Sequence, residues 1–147
     1  GTGTGLRAGH ARAAQRLRAA VAKAPFMVGG TGRFDTLVMQ RLGVRVFCKV
    51  GAEGVYCAAL PDRGLGVAIK IDDGNNARAA EVVMAAAIEA LVALDADDAA
   101  FMRGFSDVTL RNWNQIEVGA IRATRWLRDA LAPLAHTLPL KLDAMKN

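Results

Sequence analysis

Apolar positions near the start of the chain recur at helical spacing. Ala14, Leu17 and Val21 fall on one side, and Arg12, Arg16, Ala19 and Lys23 run along the other. This predicts an amphipathic helix over residues 9–24, ended before Pro25. The glycines of GGTGRFDT mark a turn, after which Asp35 or Thr36 can cap a short helix through Leu42 that stops at Gly43. The period then changes to two: Val44, Val46, Cys48 and Val50 alternate with Arg45, Phe47 and Lys49, as in a half-buried strand. Val55–Leu60 and Leu65–Ile71 read as two further strands, with PDRG as the tight turn between them.

Connections this short make the three strands an antiparallel meander, because parallel pairing needs a crossover of about a dozen residues or more. DDGNN ends the meander. Asn75 or Asn76 can cap a long helix to about Leu94 whose Ala80, Val83, Met84, Ala87, Leu91 and Leu94 form the buried stripe. A turn at DADD, a short helix to Arg103, a less regular segment and a last helix over Glu117–Leu131 complete the reading. The fold class is α+β, an antiparallel β-meander packed with helices. An outer strand of so small a sheet lacks a partner, so the 147 residues are expected to be a single unit belonging to something larger.

Composition narrows the function classes. With 52% hydrophobic and 22% charged residues the chain suits a globular core. Its longest apolar stretch is broken by Glu89, short of the roughly 18 to 20 residues of a membrane span, so no membrane partner is expected. No secretory signal is read at the N-terminus, and a cytoplasmic protein is the expectation. Cys48 and Cys57 are too few for a disulfide framework, and their spacing matches no close-paired zinc motif. The net charge of +5 invites a nucleic-acid partner, but the basic residues gather at the two ends on amphipathic helices without interleaved aromatics. Solvated basic faces are the simpler account.

GTGTG and GGTGR lack the spacing of a phosphate loop, and His10 and His136 stand alone. KVGAEG, residues 49–54, is harder to explain by packing. Lys49 shares a strand face with Phe47 and Arg45, and Gly51 leaves room for a ligand against the backbone. The Ala52 N–H is placed to donate to a developing oxyanion, and a half-buried lysine can carry a proton or face a carboxylate. The alternative is an edge strand with a solvated lysine.

The runs MVGGTGRFDTLVM, KVGAEGVYCAAL, GLGVAIKIDDGNNARAAEVV and RNWNQIEVG resemble, in order and spacing, the C-terminal half of the bacterial asparaginase II family, the rhizobial-type L-asparaginases. The resemblance covers about residues 5–124, and residues 125–147 look like a divergent tail. It implies the C-terminal portion of a serine β-lactamase-like (penicillin-binding-protein-like) fold. It also implies hydrolysis of L-asparagine to aspartate and ammonia, with a homodimer as the expected assembly. Carried over by position, Lys49 is the strand lysine comparable to that of a K-T-G motif, with Gly51 giving the substrate room and Ala52 N–H as oxyanion donor. Glu53, Arg33 and Asp72 are candidates for gripping the substrate's α-amino and α-carboxylate groups.

Two departures qualify the resemblance. Val50 stands where K-T-G enzymes have a hydroxyl. The S-x-x-K nucleophile and the cysteine–lysine zinc site of the family are implied to lie upstream, so this chain offers no assignable cofactor or metal ligand. Its one serine, Ser106, is followed by Asp107, Val108 and Thr109. A non-catalytic, partner-binding or dimerising module is therefore the alternative to an asparaginase portion.

Overall fold

A computed structural model describes residues 5–137. They gather into two compact bodies, one of residues 5–50 and 57–68 and one of residues 51–56 and 69–137. Helices α1 (Ala8–Lys23), α2 (Phe26–Gly29) and α3 (Phe34–Leu42) precede the strands β1 (Phe47–Val50), β2 (Val55–Leu60) and β3 (Leu65–Lys70). The strands form one antiparallel sheet in the order β1-β2-β3, as their alternation and short turns predict. Helices α4 (Glu81–Leu91) and α5 (Ala96–Ser106), the strands β4 (Asp107–Arg111) and β5 (Glu117–Arg122), and helix α6 (Arg125–Thr137) follow. The α+β class holds.

In the first body, α3 supplies Phe34, Val38, Met39 and Leu42 to a core shared with Val46 and Cys48. The first strand is shorter than its alternation suggests. Gly43–Arg45 winds into a single 3-10 turn, with Gly43 at φ 59 and the Arg45 Nε donating to the Leu42 carbonyl. A left-handed glycine turns the chain where a continuous strand is expected. Helix α1 contacts β1, yet none of its residues is fully buried, and Leu17 is 68% exposed. Its covered stripe is Ala11, Ala14, Arg18, Val21 and Ala22, rotated away from Leu17.

In the second body, α4 is the central helix. Val82, Met84, Ala85, Ala86, Ala87, Ile88 and Leu91 are all buried, a wider face than one stripe, because α5 and α6 both pack on it. It ends at Leu91, with Leu94 half-buried beyond it. The expected helix over 117–131 is wrong in its first half. Residues 107–122 form a hairpin instead, pairing Val108 with Ile121 and Thr109 with Ala120. Asn112 builds the turn: its carbonyl accepts from Gln115 N–H at 2.9 Å and its Oδ1 from Ile116 N–H at 3.0 Å, with Gln115 at φ 62. Val108 and Ile121 then pack against Val82, Ala86 and Ala123. A bulge between Leu110 and Arg111 breaks the period-two pattern of the sequence, which is why the strands are hard to read there. Helix α6 begins at Arg125 and rests Leu127 on the same cluster.

Candidate functional site

The expected site residues divide between the bodies, Arg33 and Lys49 in the first, Gly51, Ala52, Glu53 and Asp72 in the second. Each group has its own geometry.

On β1, Cys48 points into the core at 0% exposure, and the period of two turns Lys49 the other way, leaving its side chain 44% exposed. The ammonium donates to the Val50 carbonyl at 2.7 Å and lies 4.0 Å from Oδ2 of Asp35. Asp35 is wholly buried. It occupies the first turn of α3, where the helix N-terminus favours an anion. Oδ1 accepts from the Thr36 N–H at 3.2 Å and Oδ2 from the Val50 N–H at 3.4 Å. Gly29 makes room for the carboxylate, since a Cβ there would collide with Asp35 Oδ1 and with the Thr36 hydroxyl.

Asp35 enters the sequence reading only as a helix cap, and that is corrected by the structure. Arg33 takes the N-cap position without a side-chain cap, and the Asp35 carboxylate instead joins the helix to β1. A signal was available: Asp35, Val38, Met39 and Leu42 fall at i, i+3, i+4 and i+7, so an acid stands on the buried stripe. Carboxylates are almost never fully buried unless paired. The Cys48 thiol donates to the Asp35 carbonyl at 3.9 Å. Burial pushes that thiol up to about 12, and the Asp35 carboxylate adds to the rise while Lys49 opposes it.

In the second body, the loop 51–54 is closed by backbone and side-chain bonds together. Gly51 N–H donates to Val55 O at 2.8 Å, and Ile71 N–H donates to Gly54 O at 2.8 Å. Asn76 spans the loop: Oδ1 accepts from Gly54 N–H at 2.6 Å and Nδ2 donates to Gly51 O at 2.9 Å. Gly54 sits at φ 73, and a Cβ there would lie 2.7 Å from Ile71 O. At Gly51 a Cβ would lie 3.0 Å from the Val55 side chain, which would have to give by a few tenths of an ångström to admit it. Ala52 is exposed, and among the described residues its N–H has no acceptor. Glu53 stands at the loop tip with φ 56, a left-handed conformation uncommon for a residue with a side chain.

Arg33, Glu53 and Asp72 are exposed, and among the described residues their side chains make no hydrogen bond or ion pair. Asp73, next to Asp72, is engaged: it accepts from Arg78 Nη2 at 2.7 Å and from Asn75 N–H at 2.8 Å. The Arg78 hydrogen bond, then that of Asn75, holds its carboxyl below the usual carboxylate value. Together with Asn75, whose Oδ1 accepts from Ala77 N–H, these contacts start the π-helical turn Asn76–Ala80 that leads into α4.

A cleft of about 980 Å³ in the second body contains none of the expected residues. Arg122 and Arg128 line it but already face Asp107 at 2.6 Å and Glu89 at 3.9 Å. Ser106 lies in its wall at 0% exposure. Among the described residues no three His, Cys, Asp or Glu side chains come together as a metal site requires. No described helix is long and apolar enough to cross a membrane.

The family model described as L-asparaginase II matches residues 2–123. No curated protein matches the chain. The matched span takes in KVGAEG, the Asp35 helix, the Asn76 clamp and the hairpin, and it stops two residues before α6.

Proposed function

The chain belongs to the L-asparaginase II family, and from that premise we propose that it supplies the strand-lysine side of an amidohydrolase site acting on the side-chain amide of L-asparagine. The observation that carries the reading is Lys49, a half-exposed ammonium on a strand edge, backed by a fully buried carboxylate. Solvated surface lysines have no need of such a partner.

In the reaction, a nucleophile attacks the amide carbon, the C=O π electrons move onto oxygen, and the tetrahedral intermediate collapses with loss of ammonia. Lys49 is the proton carrier beside the reacting amide. Glu53, Arg33 and Asp72 carry free charges suited to the α-ammonium and α-carboxylate of an amino acid. Water then releases aspartate from the acyl intermediate. Ser106 does not supply the nucleophile, since it is fully buried and has no lysine at the S-x-x-K spacing. The serine β-lactamase-like fold belongs to the same reading and is supported by the antiparallel sheet bearing Lys49 on an outer strand.

The buried serine also favours a second reading, a non-catalytic module of the same family. Ammonia and aspartate release separates the two. The 147 residues alone are expected to release neither. Supplied with a segment carrying an S-x-x-K nucleophile, they are expected to hydrolyse asparagine, with Lys49→Ala lowering turnover by roughly two to four orders of magnitude. Turnover that ignores Lys49, or none with the segment present, supports the non-catalytic reading.

A further inference from the structure

We infer that Asp35 is a positioning residue for Lys49, its buried carboxylate fixing where the ammonium stands on β1. Three features support this. The carboxylate is 0% exposed and reaches both the strand backbone, through Val50 N–H at 3.4 Å, and the side chain of Lys49 at 4.0 Å. It sits on the core stripe of α3, where packing alone would choose an apolar residue. Gly29 is the residue that its volume demands. A carboxylate anchored at the helix start and at the strand is rigid, and a rigid anion holds a flexible four-carbon lysine in one place.

The chain contains its own comparison. Lys70 donates to the carbonyl of the residue after it, Ile71, at 2.6 Å, just as Lys49 donates to Val50. Lys70 is exposed and its carboxylate neighbour is the exposed Asp73, whereas Lys49 is half-buried beside the fully buried Asp35, so it is the change on Asp35→Asn that isolates the pairing.

The catalytic consequence rests on the reading of Lys49 given above; the pairing itself does not. Competitive acylation by an amine-reactive ester, read residue by residue by mass spectrometry, tests the pairing on the 147-residue chain. Lys49 is expected to acylate about tenfold more slowly than Lys70 in the wild type and within about twofold of it in Asp35→Asn, with Asp35→Glu partly restoring the difference. An Asp35→Asn chain that keeps the wild-type ratio overturns the proposal. If circular dichroism shows that Asp35→Asn does not fold, Asp35→Glu decides, and a Lys49 to Lys70 ratio in it that is unchanged from the wild type overturns the proposal.

In the asparagine-hydrolysing protein, Asp35→Asn is expected to lower kcat about 100-fold with KM within about threefold, a split that loss of binding would not give. An unchanged kcat beside an inactive Lys49→Met rejects the positioning role. A Lys49→Met protein that stays active rejects the catalytic reading instead and leaves the acylation result to judge the pair.

Discussion

Asn76 holds Gly54: its Oδ1 accepts the Gly54 N–H at 2.6 Å, while its Nδ2 reaches back to the Gly51 carbonyl at 2.9 Å. One side-chain amide thus fixes both ends of the loop that carries Ala52 and Glu53. Asn76→Ala leaves a donor and an acceptor without a partner in a half-buried place, and is expected to cost about 1–3 kcal/mol in chemical denaturation. Asn76→Asp keeps the acceptor but sets a carboxylate against the Gly51 carbonyl, so it should not recover the wild-type stability. A loss below about 0.5 kcal/mol for the alanine variant would show that water replaces the clamp without penalty.

Glu53 holds φ 56 at the loop tip. Relieving a left-handed conformation gains roughly 1 kcal/mol, so Glu53→Gly is expected to be more stable than Glu53→Ala by about that amount. If Glu53 grips the substrate, both variants should raise KM alike while differing in melting temperature. Equal stability of the two would remove the strain argument, and an unchanged KM the binding role.

The two cysteines should report the packing of β1. Cys57 is exposed and Cys48 is buried with its thiol raised from 9.0 to about 12. A thiol-directed reagent at pH 8 is expected to modify Cys57 quickly and Cys48 only on unfolding. The sign of the linked stability follows from the raised value. The folded chain keeps the Cys48 proton where the unfolded chain loses it, so stability declines as pH rises from about 9 towards 12. Cys48→Ala should flatten that decline in an alkaline denaturation series, whatever its effect on stability at neutral pH.

Asp73 makes the opposite case. Its carboxyl is held low, first by Arg78, so its contribution is complete above the ordinary value of 3.8 and is lost as pH falls through the lower folded value. Arg78→Ala is expected to move the Asp73 titration, followed by carboxyl NMR, back up towards 3.8. A titration that does not move would place the cause in the Asn75 N–H alone.

The meander was legible because β2 and β3 alternate cleanly and their turns are short. Lys49 was legible for a different reason, since a lysine before a glycine departs from a core strand. Asp35 was not picked out because an acid near a helix start has a simpler explanation as a cap, and only the tertiary pairing of α3 with β1 separates the two. The β4–β5 hairpin failed in the sequence because its outward positions are apolar. Leu110 and Val118 on the strands are 40% and 63% exposed, and Trp113 and Ile116 in the turn are 97% and 59% exposed, so hydrophobicity carries no record of which face is inside.

The course of the chain between the two bodies limits how the molecule can be dissected. It leaves the first body after Val50, returns at Cys57 and leaves again after Ala68. No single truncation therefore isolates either body intact. Cutting between Ala68 and Ile69 strips the second body of residues 51–56, the stretch whose Gly51 and Gly54 Asn76 grips. Separate expression of either body would require an internal splice, Val50 to Cys57 for the first or Tyr56 to Ile69 for the second.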